Sequence, residues 1–250
     1  MKLKKSVKRG LLKFILFIIT IVLLIILGLS IYKIVFWLTE NKRNNNIKEM
    51  INQYIFIDNI NEGNNNINFS KLKEINSDVI AYLKVANTKI DYPVVKGADN
   101  DFYLNHSFDR SVNSAGWIFV NFNNTFDGED KNISMFGHGR MDGSMFGSLK
   151  ETLTSNWQKN NPHKQILFIT ENEISEYEVF STYKILIEDY YIKNIFPNSD
   201  EYEEFLNILK KRSNYEYDVE LSAEDQIITL STCDVNNHYR IVLHAKKVTN

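Results

Sequence analysis

Near the N-terminus, FILFIITIVLLIILGLSIY runs from Phe14 to Tyr32 without a charge. At about 1.5 Å of rise per residue, a helix of this length crosses a hydrocarbon core of roughly 30 Å. A helix so uniformly apolar belongs either in a bilayer or in the middle of a large protein core, and at this length without charges the bilayer is favoured. The preceding MKLKKSVKRGLLK holds Lys2, Lys4, Lys5, Lys8, Arg9 and Lys13 and no acid. A basic flank stays cytoplasmic, which puts everything after Trp37 outside the cell. Cleavable signals have an apolar stretch of only about 7–15 residues and an A-x-A-like site. This run is longer and lacks that site, so it reads as an uncleaved, single-pass anchor in the cell membrane. The expected organisation is a cytoplasmic segment over 1–13, a transmembrane anchor over 14–37, a linker with an N-terminal helix over 38–68, and an extracellular domain over 69–250.

With those six basic charges set aside, the net −2 of the whole chain becomes about −8 for the remainder. A mildly acidic exterior does not suit nucleic acid, which asks for a basic patch. Roughly 200 residues outside the membrane suffice for one sizeable core. There is a single cysteine, Cys233, so no internal disulfide forms. In an exported chain a lone thiol is an intermolecular link or a reactive group.

Along the chain, TENKRNNN (Thr39 to Asn46) is polar and reads as a linker, and the spacing of Ile47, Met50, Ile51, Tyr54 and Ile55 predicts a helix after it. NEGNNNIN is a loop. FSKLKEIN suggests a short helix with Ser70 as its N-cap. From Val79 the pattern changes to strands: VIAYLKV and IDYPVV around an ANTK turn, then GWIFVNF, KNISMF, QILFIT, ISEYEVFSTYKI, QIITLSTC and YRIVLHAKKV. Eight short strands point to a closed or nearly closed, antiparallel-rich barrel, a mostly β (α+β) fold. NSDEYEEFLNILKKRS interrupts them before the Cys-bearing strand. Asn198 stands three residues before Glu201, a capping arrangement. Tyr202, Phe205, Leu206 and Leu209 share one face, and Lys210, Lys211 and Arg212 suit a helix C-terminus.

Cys233 ends QIITLSTC, and Arg240 begins the next strand after the short turn DVNNHY. Paired as a hairpin, the two strands bring Cys233 and Arg240 to one end of the sheet. A guanidinium beside a thiol favours the thiolate and offers donors to the oxyanion formed when a thiolate attacks a carbonyl. The bland alternative is a small buried hydrophobe and a surface arginine. A cysteine nucleophile also needs an acid or base. Of five histidines, His138 in MFGHGRMDGSMF lies between Gly137 and Gly139 at a strand end, where close approach is possible. His106, His163 and His244 read as structural or solvated. His238 is close in sequence to the thiol, but it sits on a tight turn with little to orient it. With no second cysteine, no H-E-x-x-H, no calcium loop and no Gly-rich phosphate or dinucleotide fingerprint, no metal or cofactor is expected.

TLSTC followed by Arg240, with IDYPVVKGADNDFYLNHSF, GWIFVNF and MFGHGRMDGSMF in order and a helix between YYIKNIF and QIITLSTC, resembles the class B sortases, cysteine transpeptidases of Gram-positive bacteria. The resemblance spans roughly Phe69 to Val248. It implies an eight-stranded sortase-type β-barrel with N-terminal helices and a long helix inserted before the Cys-bearing strand. It implies Cys233 as nucleophile, His138 as the acid that protonates the leaving amine, and Arg240 as the substrate and oxyanion clamp. As substrate-binding positions it suggests Asn100, Leu104, Tyr191, Ile192, Ser231 and Thr232, though core packing would explain Leu104, Tyr191 and Ile192 equally well. Its expected partners are the sorting-signal peptide of secreted surface proteins, of NP-x-T-(N/G) type, and an amine of the cell-wall peptidoglycan precursor. The chain departs from many members in having Gly139, rather than a polar side chain, after His138, and in its short Cys-to-Arg turn.

Two other functions remain open on the residues. A thiol peptidase acting on surface or cell-wall peptides would use the same Cys, His and Arg with water as acceptor, although a papain-like order would put the cysteine ahead of the histidine. A membrane-anchored binding protein would need none of the three.

Overall fold

The structure is a computed structural model and describes residues 2–56, 66–160, 165–233 and 238–248, the side chains of 2–9, 66 and 233 apart. His163, most of NEGNNNIN and most of the Cys-to-Arg turn lie outside the described residues. The chain divides into two compact units, Met1–Asn46 and Ile47–Asn250.

The first unit lies within α1 (Lys2–Asn52). Helix continues through Thr39 to Asn46, where the polar composition had suggested a linker. Asn-rich sequence is only mildly unfavourable to helix, and the helical turns on either side carry it through. Leu23, Leu24, Ile25, Ile26 and Leu27 are all exposed. Consecutive residues step about 100° around a helix, so every face is apolar, a surface that suits lipid. Within the described residues this is the one helix long and apolar enough to cross a membrane.

The second unit opens with the last turns of α1, where Ile47 and Ile51 are buried and the Lys48 ammonium lies 3.9 Å from the Tyr92 ring centre. A two-residue pair, β1 (Ile55–Phe56) with β2 (Asn66–Ile67), leads into α2 (Phe69–Ile75). The cap of α2 is Asn68, not Ser70: Asn68 Oδ1 accepts the Lys71 N–H at 3.0 Å, and Ser70 is already inside the helix.

Eight strands then close a barrel. They are β3 (Val79–Val85), β4 (Asp91–Val95), β5 (Phe119–Val120), β6 (Asn132–Gly137), β7 (Gln165–Thr170), β8 (Ile174–Leu186), β9 (Ile227–Cys233) and β10 (Tyr239–Lys247). Around the barrel the order is β10-β8-β7-β3-β4-β5-β6-β9, with β9 hydrogen-bonded back to β10. Two neighbouring pairs, β4–β5 and β6–β9, are parallel and the rest antiparallel. The alternation of apolar residues locates the strands to within a residue or so; GWIFVNF is the exception, far longer in pattern than its two-residue ladder. There the Asn121 carboxamide accepts the Asn123 N–H at 3.2 Å and turns the chain out of the sheet. The core is aromatic on the side of β4: Trp117 meets Tyr92 edge-on at 5.6 Å and Phe108 at 5.5 Å, and its indole N–H donates to the Pro93 carbonyl at 2.8 Å.

A short helix, α3 (Ser155–Asn160), precedes β7, and α4 (Ser199–Lys211) is the inserted helix. Asn198 Oδ1 accepts the Glu201 N–H at 2.9 Å, the cap expected from the sequence. Tyr202, Phe205, Leu206 and Leu209 are buried beneath it, each contributing about 1.5–3 kcal/mol of burial.

Between α4 and the barrel wall lies a buried polar chain. His244 on β10 is fully buried. Its Nε2 is 2.8 Å from the Tyr183 hydroxyl and its Nδ1 is 2.8 Å from Thr229 Oγ1. Thr229 donates its one proton to Asn132 Oδ1 at 2.6 Å. It therefore accepts from His244 Nδ1–H, and Nε2 accepts from Tyr183. Asn132 Nδ2 in turn donates to the Tyr191 and Lys193 carbonyls, both at 3.0 Å. The chain thus ties β6, β8, β9 and β10 to the segment leading into α4.

Burial, with a smaller contribution from the Arg212 charge, pushes the His244 imidazole down to about 3. Unfolded, it titrates near 6.5. Between these values the unfolded chain binds one more proton, so stability falls as pH drops below about 6.5. The wild type is expected to lose about 1–2 kcal/mol more unfolding free energy than a His244→Gln variant between pH 6.5 and pH 5. Urea denaturation followed by tryptophan fluorescence measures this, and equal losses in both proteins would contradict it. Asn198→Ala is expected to cost about 1 kcal/mol in the same assay through loss of the α4 cap.

Candidate active site

Three neighbouring strand ends form the site. Antiparallel pairing of β9 with β10 sets Cys233 opposite Arg240. Parallel pairing of β6 with β9 sets Gly137 opposite Thr232, so the next residues on each strand, His138 and Cys233, stand at the same level. Cross-strand partners share a face of a sheet, and a one-residue slip would send either partner to the other face. Arg240 is half-buried and is also paired with Ile185 of β8. The main chain therefore brings Cys233, His138 and Arg240 to one end of the barrel.

His138 is half-buried, and its ring is anchored from the far side. Nε2 lies 2.7 Å from the Leu104 carbonyl oxygen, in the 3-10 turn Phe102–Leu104. Its own carbonyl accepts the N–H groups of Arg140 and Phe146, both at 3.1 Å, which folds the loop after β6 back on itself. Gly137 is packed under Phe146, where a Cβ would come within 3.2 Å of the ring.

The 3-10 turn is itself held firmly. Tyr103 is buried, and its hydroxyl donates to Asp78 Oδ2 at 2.6 Å and accepts from Asn76 Nδ2 at 2.8 Å. Asp78 also pairs with Arg110. Burial, then the Asp78 hydrogen bond, raises the Tyr103 phenol well above its ordinary range. Asp99 caps the start of the turn, accepting from the Phe102 and Asp101 N–H groups at 2.8 and 2.9 Å.

The other positions suggested by the sequence fall into two groups. Leu104 and Ile192 are half-buried, with apolar surface remaining. Asn100 is half-buried too, but its carboxamide is engaged with the chain itself: Oδ1 accepts the Phe122 N–H at 3.0 Å and Nδ2 donates to Asn121 at 3.2 Å. Tyr191, Ser231 and Thr232 are buried, and the Tyr191 and Ser231 hydroxyls are hydrogen-bonded at 3.0 Å.

Among the other histidines, His106 stacks on Phe102 at 3.8 Å with Nδ1 on the Phe102 carbonyl, His244 is the buried link described above, and His238 is exposed. Gly116, just ahead of β5, escaped the sequence reading. Its backbone is left-handed, with φ +60, and it abuts Leu104 and His138. A glycine immediately before WIFV was the only available signal.

Comparison with known proteins gives the family of the chain. The sortase domain family matches residues 83–248. Sortase B of Listeria monocytogenes is 35% identical over 240 residues, covering 92% of this chain and 96% of that protein. The crystal structure of sortase B from Bacillus anthracis in complex with AAEK1 superposes with TM-score 0.74 at 32% identity, over 85% of this chain and all of that one. A Staphylococcus aureus sortase B–substrate complex gives TM-score 0.68 at 34% identity, over 72% of this chain and 84% of that one. With the family model matching residues 83–248 and a sortase B relative 35% identical over 92% of the chain, the chain belongs to the sortase family, in its class B, and is a sortase-type cysteine transpeptidase.

Proposed function

We propose that this chain is a membrane-anchored transpeptidase that cleaves an NPxT(N/G)-like sorting signal and attaches the surface protein to an amine of the cell-wall precursor. The observation that carries the reading is the register that levels Cys233 with Arg240 and, one step beyond Gly137 and Thr232, with His138. The Cys233 thiolate attacks a backbone carbonyl carbon of the signal. Arg240 donates to the oxygen as negative charge builds there. The tetrahedral intermediate collapses, the C–N bond breaks, and His138 gives a proton to the leaving amine. A thioacyl-enzyme remains. The acceptor amine attacks its carbonyl, loses a proton to His138, and expels the Cys233 thiolate with a new amide bond formed.

Partly exposed apolar surface at Leu104 and Ile192 supports a role for both in lining the signal's path. Asn100 supports it from behind, through the Phe122 main chain, while Tyr191, Ser231 and Thr232 support the strand that carries Cys233. The evenly apolar surface of α1 supports a membrane anchor, with the basic N-terminal segment cytoplasmic and the barrel outside.

Incubating the full chain in detergent with a sorting peptide, with and without an amine acceptor, tests the reading. A ligated product that vanishes in Cys233→Ala is expected; cleavage without ligation would indicate a hydrolase. His138→Ala and Arg240→Ala are each expected to lower turnover by about 100-fold or more. Arg240→Lys should recover only part of that, because an ammonium keeps the charge but not the paired donors. Near-normal turnover in either alanine variant would remove that residue from the mechanism.

A further inference from the structure

We infer that the Leu104 main-chain carbonyl selects the tautomer of His138, so that Nδ1 is the nitrogen that exchanges protons with substrate, and that Gly116 is the positioning residue that allows this contact. The inference rests on the reading of His138 as the acid and base of the reaction.

A carbonyl oxygen can only accept. At 2.7 Å from Leu104 O, the His138 Nε2 must therefore be the donor, whether the ring is neutral or charged. In the neutral ring that assigns the single N–H to Nε2 and leaves the lone pair on Nδ1. Among the described residues Nδ1 has no hydrogen-bond partner. Transfer to a leaving amine then takes the proton from Nδ1 and regenerates the neutral Nε2–H ring. The same nitrogen accepts the proton back from the attacking amine, and the imidazole does not need to flip between steps. A carbonyl held on the non-reacting nitrogen is a known way to fix ring orientation.

The carbonyl can sit there only because position 116 has no side chain. A Cβ on Gly116 would stand 2.5 Å from the Tyr103 oxygen, 2.8 Å from the Leu104 oxygen and 3.1 Å from His138 Cδ2. The first two are main-chain atoms that cannot swing aside. Tyr103 is fixed at its hydroxyl by Asn76 and Asp78 and at its carbonyl by the Trp117 N–H at 2.9 Å. The φ of +60 at Gly116 adds a strain cost for any side chain. A methyl group there collides with the Tyr103 and Leu104 carbonyls and crowds the His138 ring, so the turn that holds the ring, or the Gly116 segment beside it, has to shift.

The test is imidazole nitrogen NMR on the ¹⁵N-histidine-labelled full chain in detergent micelles, at a pH where the ring is neutral. A His138→Gln variant identifies the resonance. In the wild type, a protonated Nε2 and an unprotonated Nδ1 are expected; the reverse pattern, or an even mixture, would overturn the inference. Gly116→Ala is expected to mix the tautomers and to lower kcat about 100-fold with KM little changed, as misplacement of a reacting group does. Wild-type kcat in Gly116→Ala would overturn the positioning role. If that variant fails to fold, the wild-type spectrum still decides the tautomer. Normal turnover in His138→Gln would overturn instead the reading on which the inference stands.

Discussion

Groups on three different strands can act on one bond only if those strands end at one level. Main-chain hydrogen bonding between β9 and its two neighbours sets that level, parallel to β6 and antiparallel to β10. The repeat of a strand is two residues, so register decides both height and facing. Closing the sheet into a barrel leaves β9 no open edge along which to slip. The inserted α4 adds a second restraint from outside. It covers a polar seam in which Asn132, Thr229, His244 and Tyr183 bond in one order of donors and acceptors. A shifted strand would leave several of these buried groups unpaired, at about 1–3 kcal/mol each.

The side of the site that faces His138 is built differently. It depends on a 3-10 turn rather than a strand, and a turn lacks a ladder to stiffen it. Tyr103 supplies the stiffness by burying its ring and fixing its hydroxyl between Asn76 and Asp78. The Leu104 carbonyl inherits that position. The two sides are thus complementary: β9 and β10 set the level of Cys233 and Arg240, and the turn anchors the His138 ring.

Most of the barrel could be read directly from the chain because its strands alternate and its turns are rich in Asn and Gly. The cap on α4 was equally plain, since Asn198 and Glu201 stand at the required spacing. The reading failed where several polar residues compete locally. Asn68 outcompetes Ser70 because helix α2 begins two residues earlier than the pattern showed, and the Asn-rich stretch before Ile47 is helical because its flanking turns are. At the site, Cys233, His138 and Arg240 stood out by type and place. Leu104 stood out for its side chain, whereas the contact made with His138 is through its main chain, which no residue type announces. The part of Gly116 is invisible for the same reason: it is set by which backbone passes close by, a property of the folded chain alone.

The convergence of sulfur, imidazole and guanidinium is tested most directly by a crystal structure of the chain covalently trapped with an electrophilic sorting-peptide analogue. The expected adduct is on Cys233, with the Arg240 guanidinium within hydrogen-bond distance of the oxygen at the attacked carbon and the His138 ring beside the leaving-group position. An adduct on Cys233 with Arg240 turned away, or with His138 on the far side of the peptide, would contradict the shared site.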